Sequence, residues 1–265
     1  MSLARTLVEH EVHALGDALY TALRARCPVA PFGVDRGLTI GDAYAVSRRL
    51  LDRRLADGER LVGKKIGVTS EAVQSMLDVR QPDFGYLTDA MQFEDGAALP
   101  VSRHCIQPRA EGELAFRLKA DLVGPGVDEA AVLAATDCVF PCFEIVDSRI
   151  EAWKIRIQDT VSDNASSGLF VLGSPVLPAG VDFVGARMEV FKNGAMLSSG
   201  EASAALGSPL TCVAWLANTM GQFGVPLKAG DIILSGSWVP LEPVVAGDAM
   251  RLHIEGVGGA SVTFV

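Results

Sequence analysis

Apolar residues recur at helical spacing at the start of the chain and at strand spacing further on. Leu7, Val8, Val12, Leu15, Leu19 and Leu23 fall mostly three and four apart, which predicts an amphipathic helix. Pro28, Pro31 and Gly33 break that pattern. A second helix is predicted from about Gly41 to Ala56, with Tyr44, Val46, Leu50, Leu51 and Leu55 apolar, arginines between them and Gly58 past its end. From Leu61 the texture changes. Leu61 to Val68 reads as a short strand with glycines, and Thr69 or Ser70 as the cap of a brief helix to Leu77. Residues 81–100 are turn-rich, with a strand near Tyr86. Residues 109–118 alternate, with Ala110, Gly112, Leu114, Phe116 and Leu118 on one face and Glu111, Glu113, Ala115 and Arg117 on the other. Asp128 caps a predicted helix from Glu129 to Thr136, and a buried strand follows from about Val139 to Val146.

Residues 147–168 are polar in an otherwise apolar chain, which marks a candidate functional loop. Residues 188–197 read as a hairpin turning at Asn193-Gly194. Ser208-Pro209 opens a helix to about Phe223, with Gly224 beyond it. Three more strands are predicted at 231–235, 249–255 and 260–264. Two helices followed by a long β-rich stretch, without strict βαβ alternation, predict an α+β fold built on a mixed β-roll or barrel. No linker interrupts the chain. The expected organisation is a helical N-terminal region, 1–60, packed on a β-rich catalytic unit, 61–265.

Composition narrows the function. The chain has 265 residues, 49% hydrophobic and 21% charged, enough for a sizeable core. A net charge of −9 argues against nucleic acid as a partner, while leaving room for a small anionic substrate if a metal supplies local positive charge. The charged N-terminus has no apolar leader core, and no apolar run reaches membrane-spanning length. Five cysteines without a CxxC pair fit free, mostly buried thiols in a reducing cytoplasm. No zinc cluster, GxSxG, P-loop or dinucleotide fingerprint is present. His10 and His13 read as helix-surface residues.

Four constellations carry chemistry. Glu111 and Glu113, two apart on a strand, converge on one face, and Glu144 lies in an apolar strand. Carboxylates in apolar settings need positive charge, and a hard divalent cation would account for all three. The competing reading is a solvated acidic face. Lys64 and Lys65 point oppositely from their strand, so one faces inward if the strand is central; otherwise both are exposed on an edge. Asp83, in Gln81-Pro82-Asp83-Phe84-Gly85, either serves the site or stabilises its own turn. Asp163-Asn164-Ala165-Ser166-Ser167 either binds a ligand or caps its own loop.

Together, Gly63-Lys64-Lys65-Ile66-Gly67-Val68-Thr69, Gln81-Pro82-Asp83-Phe84-Gly85, Gln107-Pro108-Arg109-Ala110-Glu111-Gly112-Glu113, Glu144-Ile145-Val146-Asp147-Ser148-Arg149 and Asp159 to Ser166 resemble the 2-keto-4-pentenoate hydratase family, within the fumarylacetoacetate hydrolase superfamily. Gly230 to Leu234 and Ile254 to Gly258 extend the resemblance, which spans nearly the whole chain in order. It implies a β-roll of the fumarylacetoacetate hydrolase C-terminal type. It also implies a Mg²⁺ or Mn²⁺ ion held by Glu111, Glu113 and Glu144, Lys65 and Asp83 as a proton-transfer pair, and Ser166 near the substrate. The implied activity is a hydro-lyase adding water to a 2-hydroxy-2,4-dienoate in the breakdown of aromatic compounds. A 2-oxo-dioate decarboxylase is the alternative on the same scaffold, and a non-catalytic binding subunit is the alternative from another class. A homo-oligomer, with another pathway enzyme as a further partner, is also implied. Departures fall at Arg80, at Ser208, where histidine is usual, and at Ser235 to Leu241, where Trp238 would add bulk if that segment lines the pocket.

Overall fold

The computed structural model describes residues 4–33, 36–70, 74–75, 79 and 81–265. The brief helix expected before Leu77 and the position of Arg80 fall largely outside them. The N-terminal pattern folds as α1 (Glu9–Ala25) and α2 (Ile40–Ala56). Thr39 caps α2 by accepting the Asp42 N–H at 3.1 Å, and Asp42 in turn accepts the Thr6 and Leu7 N–H groups at 2.8 and 2.9 Å. The two helices bury Val12, Leu15, Leu19, Val46 and Leu50 against one another with Phe32, Leu38 and Ile150.

The rest is β1 (Leu61–Gly67), β2 (Asp83–Thr88), β3 (Gln92–Glu94), β4 (Ala97–Leu99), α3 (Val101–His104), β5 (Arg109–Leu118), α4 (Glu129–Ala135), β6 (Thr136–Val146), α5 (Ile157–Ser162), β7 (Ser167–Leu172), β8 (Arg187–Lys192), β9 (Ala195–Glu201), α6 (Pro209–Gly221), β10 (Ile232–Ser237), β11 (Glu242–Pro243), β12 (Ala249–Ile254) and β13 (Gly258–Phe264). One sheet runs β2-β1-β10-β5-β6-β7-β3, with β11 added on β5; the other runs β4-β13-β12-β8-β9. Parallel pairs (β1 with β10, β3 with β7, β4 with β13) are mixed with antiparallel ones, so the fold is α+β with mixed sheets. Among the described residues neither sheet closes on itself as a barrel.

A β5 residue at an even number faces a large core shared with the second sheet and α6. A Cβ on Gly112 would sit 2.4 Å from Met188 Sδ, so any larger residue would require the Met188 side chain to shift. The odd-numbered face holds Ala115, which packs in a smaller apolar cluster with Cys142, Phe140, Phe170 and Leu234. The carboxylates stand at one end of this second face.

The segment 147–168, expected as a polar candidate functional loop, is not all loop. It contains α5 and is largely buried, including Asp147, Ser148, Arg149, Asp159, Asp163, Asn164, Ser166 and Ser167. Its polar side chains bond to backbone groups that carry no ladder partner. Asp147 accepts the Ile106 and Gln107 N–H groups at 2.9 and 2.7 Å, and Asp159 accepts those of Phe32 and Gly33 at 3.0 and 2.8 Å.

Candidate metal centre and proton-transfer site

β5 and β6 pair with Glu111 directly opposite Glu144 and Glu113 opposite Cys142. Each of the three glutamates offers an oxygen within 4.8 Å of the other two. Glu113 and Glu144 are buried, and Glu111 is partly open to solvent. Glu113 Oε2 accepts the Gly236 N–H at 2.8 Å, whereas Glu113 Oε1 and both Glu144 oxygens have no hydrogen-bond donor. Buried carboxylate oxygens in this state need either a proton or a nearby positive charge. The donor set is hard oxygen throughout, which suits Mg²⁺, Mn²⁺ or Ca²⁺. The residues therefore fit a divalent cation, and the solvated-face reading does not describe them.

Lys65 supplies part of the missing charge. Its ammonium lies 3.2 Å from Glu144 Oε1, an ion pair not aligned as a hydrogen bond. Burial disfavours the charged ammonium, but Glu144, Asp83, Glu111 and Glu113 outweigh it and hold the Lys65 pKa above its ordinary range. Lys64 points the other way and is buried too, paired with Asp231. The two-exposed-lysines alternative thus fails, because β1 is flanked on both sides by β2 and β10.

Asp83 begins β2 opposite Gly67, and Lys65 stands opposite Gly85. Neither Asp83 oxygen is bonded within its own turn. A Cβ on Gly67 would sit 2.5 Å from Asp83 Oδ1 and 3.1 Å from Lys65 Nζ, so this glycine leaves free the space that both heads border. Burial lifts the Asp83 pKa to about 6, with Lys65 opposing and Glu144 adding to the rise. The same causes act on the metal-side acids: burial first, then the Glu144 charge, push Glu111 up to about 8 and Glu113 well above the usual carboxylate range.

Ser166 is buried in the turn between α5 and β7, with its Oγ 3.2 Å from Thr160 Oγ1. Two partners of that turn lie in the quoted motifs but had no individual role assigned from the sequence. Arg149 is fully buried and donates to Asp163 Oδ1 at 2.5 Å and to the Ser167 carbonyl at 2.7 Å. Asn164 bonds the backbone of Tyr86. An arginine two residues after Asp147 in a buried segment was the available signal for the first. Of the departures from the hydratase pattern, Ser208 caps α6, its Oγ accepting the Leu210 N–H at 3.1 Å. Trp238 does not stand on the carboxylate face: it is 4% exposed within the larger core that holds Met188, Val239 and Leu252. Cys105, Cys138, Cys142 and Cys212 are free and buried, and Cys27 is free and exposed.

This fold and acid set define a class. A family model described as fumarylacetoacetate (FAA) hydrolase C-terminal matches residues 62–265, and the chain belongs to that family. Within it, the chain is 55% identical to the 2-hydroxyhexa-2,4-dienoate hydratase of Comamonas testosteroni over 256 residues, covering 96% of this chain and 97% of that one. It is 63% identical to a 2-hydroxypent-2,4-dienoate hydratase of Pseudomonas putida over 217 residues, covering 81% of this chain and 97% of the relative. Among solved structures it is similar to 4-oxalocrotonate decarboxylase from Pseudomonas putida G7, complexed with magnesium and adipate: TM-score 0.96, 34% identity, 99% of this chain and 100% of that one. Among the described residues no helix is long and apolar enough to cross a membrane.

Proposed function

We propose that the protein is a metal-dependent hydro-lyase that adds water to a 2-hydroxy-2,4-dienoate and yields a 4-hydroxy-2-oxo acid. The observation that carries this is the convergence of three glutamate oxygens within 4.8 Å on the strand face that also bears Lys65 and Asp83. Identity of 55–63% to named dienoate hydratases supports the substrate class.

In this reading Glu111, Glu113 and Glu144 hold a divalent cation, Mg²⁺ or Mn²⁺, which when bound supplies Lewis-acid polarisation of the substrate's oxygens. The chain's own groups handle the protons. Ketonisation removes the proton of the 2-hydroxyl and delivers one to the far carbon of the diene, which leaves a double bond conjugated with the new ketone. Asp83, titrating at about 6, is suited to take and return a proton near neutrality. Lys65 stays charged among four acids and holds the Asp83 carboxylate and the substrate's developing negative charge. Water then adds at C4. Ser166, buried in the turn whose Asn164 carbonyl faces Gly85, is the proposed substrate-side hydroxyl.

The structural likeness to 4-oxalocrotonate decarboxylase favours one second reading, decarboxylation of a 2-oxo-dioate. Incubation with 2-hydroxypenta-2,4-dienoate and, separately, 2-oxohex-3-enedioate, each with Mg²⁺ or EDTA, tests both. Loss of dienoate absorbance that requires Mg²⁺ supports the hydratase; CO₂ release from the dioate alone overturns it. We also propose that residues 61–265 form the catalytic unit with 1–60 packed on it. Free, mostly buried thiols support a cytoplasmic setting, and homo-oligomerisation and association with another enzyme of the pathway are further proposals that size measurement would test.

A further inference from the structure

We infer that Asn164 is a positioning residue that closes the seam of the roll over the proton-transfer pair. β2 is the last strand on its side of the sheet, so its outer edge has no strand partner among the described residues. At Tyr86 a side chain meets that edge instead. Asn164 Oδ1 accepts the Tyr86 N–H at 2.8 Å, and Asn164 Nδ2 donates to the Tyr86 carbonyl at 2.9 Å. The carboxamide makes the pair of bonds that a residue of an antiparallel neighbour would make. Asn164 also opens the turn that leads into β7 at Ser167, near the opposite side of the sheet. One side chain thereby joins the two sides where no ladder does.

The seam lies on the catalytic face. Gly85 stands opposite Lys65, so a side chain there would share the face of Lys65 and Asp83. A Cβ on Gly85 would sit 2.5 Å from the Asn164 carbonyl oxygen and 2.9 Å from Ser167 Oγ. The turn fills the space that this glycine leaves free. Asn164, Ala165 and Ser166 all adopt left-handed backbone, with φ of 54°, 52° and 55°. Residues bearing a Cβ disfavour that region, and three in succession persist only where the surroundings over-determine them. Here Ser167 Oγ donates to the Asn164 carbonyl at 2.8 Å, the Arg149 N–H donates to Asp163 Oδ2 at 2.8 Å, and the Asp147 N–H donates to the Ser166 carbonyl at 2.8 Å. The Asn164 carboxamide is the clamp that ties this turn to the strand carrying Asp83. Its removal lets the turn relax and moves Ser166 relative to Asp83.

This inference rests on the hydratase reading, with Ser166 on the substrate side. Asn164→Gly removes the carboxamide while keeping left-handed backbone accessible, so folding is preserved. The expected result is a KM for 2-hydroxypenta-2,4-dienoate raised about tenfold, with Mn²⁺ affinity by electron paramagnetic resonance unchanged. Ser166→Ala alone also raises KM, and the double variant is expected to be no worse than the worse single one, the mark of two residues acting as one unit. Gly85→Ala, approaching the seam from the other strand, reproduces the Asn164→Gly effect. A lowered melting temperature with wild-type KM, or effects that multiply in the double variant, overturns the inference. Amide exchange at Asp147 reads the same turn without turnover: faster exchange in Asn164→Gly is expected, and unchanged protection overturns the seam. Absence of turnover in the wild-type protein would instead overturn the functional reading, and the exchange measurement would still decide the seam.

Discussion

Glu111 and Glu144 stand directly opposite each other across the β5–β6 ladder. Like charges in opposed positions destabilise a sheet, and here burial adds to the cost. Burial and then Glu144 accordingly push the Glu111 pKa from 4.5 up to about 8. An acid raised in the folded chain contributes its stability below the unfolded value, and loses it as pH rises through the folded one. The metal-free protein is therefore expected to lose stability from about pH 4.5 through about pH 8. Saturating Mg²⁺ should remove most of that slope, because a ligand at a hundred times its Kd adds about 2.7 kcal/mol. Thermal melts in EDTA and in Mg²⁺ across this range measure both. A flat EDTA series would refute the electrostatic account.

Glu113→Gln separates charge from shape. The amide oxygen can still accept the Gly236 N–H, which Glu113 Oε2 accepts at 2.8 Å, so the strand end is preserved. One anionic ligand is lost. Metal affinity and turnover are expected to fall together, each by about 100-fold or more, given that outer-shell substitutions alone cost about 10–100-fold. At alkaline pH the metal-free variant should melt higher than the parent, since one repelling acid is gone. Isothermal titration with Mg²⁺ beside initial rates checks the first point, and normal activity would remove the metal assignment.

Lys65→Ala is expected to lower turnover by about 10²- to 10³-fold, the usual loss when one group that stabilises developing charge is removed, with metal binding kept. The Asp83 pKa, about 6 with Lys65 opposing its rise, should move higher once that ammonium is gone. The acidic limb of the rate profile then shifts to higher pH. Residual activity in the variant is enough to record it. Kinetics and profile both unchanged would sink the role assigned to this lysine.

Gly67→Ala tests the same pair without touching either partner. The added methyl would lie 2.5 Å from Asp83 Oδ1 and 3.1 Å from Lys65 Nζ, so one or both heads must shift. Gly67 has no left-handed φ, and alanine meets no backbone conflict there. A fall in kcat with Mg²⁺ affinity and melting temperature near wild type is expected. Wild-type kcat would show that the spacing of Lys65 and Asp83 is not critical.

Alternation along residues 109–118 was enough to put Glu111 and Glu113 on one face. It could not bring in Glu144, because that requires the β5–β6 register, a contact between separate strands. The helices of the first sixty residues were legible from spacing and breakers, and the Asn193-Gly194 hairpin from its turn. The segment 147–168 misled for a physical reason. Polar residues there read as a functional loop, yet Asp147, Asp159, Asp163 and Arg149 are buried and satisfy backbone and charge that no ladder reaches. Glycine signals were equally mute in sequence. Gly67 and Gly85 matter for what approaches them from other strands and from the Asn164 turn.

Trp238 is where the sequence did not show which surface its side chain meets. Its segment departs from the hydratase pattern, which suggested a pocket wall, but the indole is 4% exposed within the core beside the second sheet. Its Nε1–H has no partner, so Trp238→Phe loses no hydrogen bond and removes a buried orphan donor. Against that gain stands the space vacated by the smaller ring. A net cost of about 1–2 kcal/mol is expected, within the usual range for core substitutions. The ratio of kcat/KM for 2-hydroxypenta-2,4-dienoate to that for 2-oxohex-3-enedioate should stay within about twofold, well under the ~10-fold that 1.4 kcal/mol of discrimination would produce. A lower melting temperature with an unchanged ratio makes Trp238 a core residue. A ratio altered tenfold would return it to the substrate pocket and move specificity back to residues 235–241.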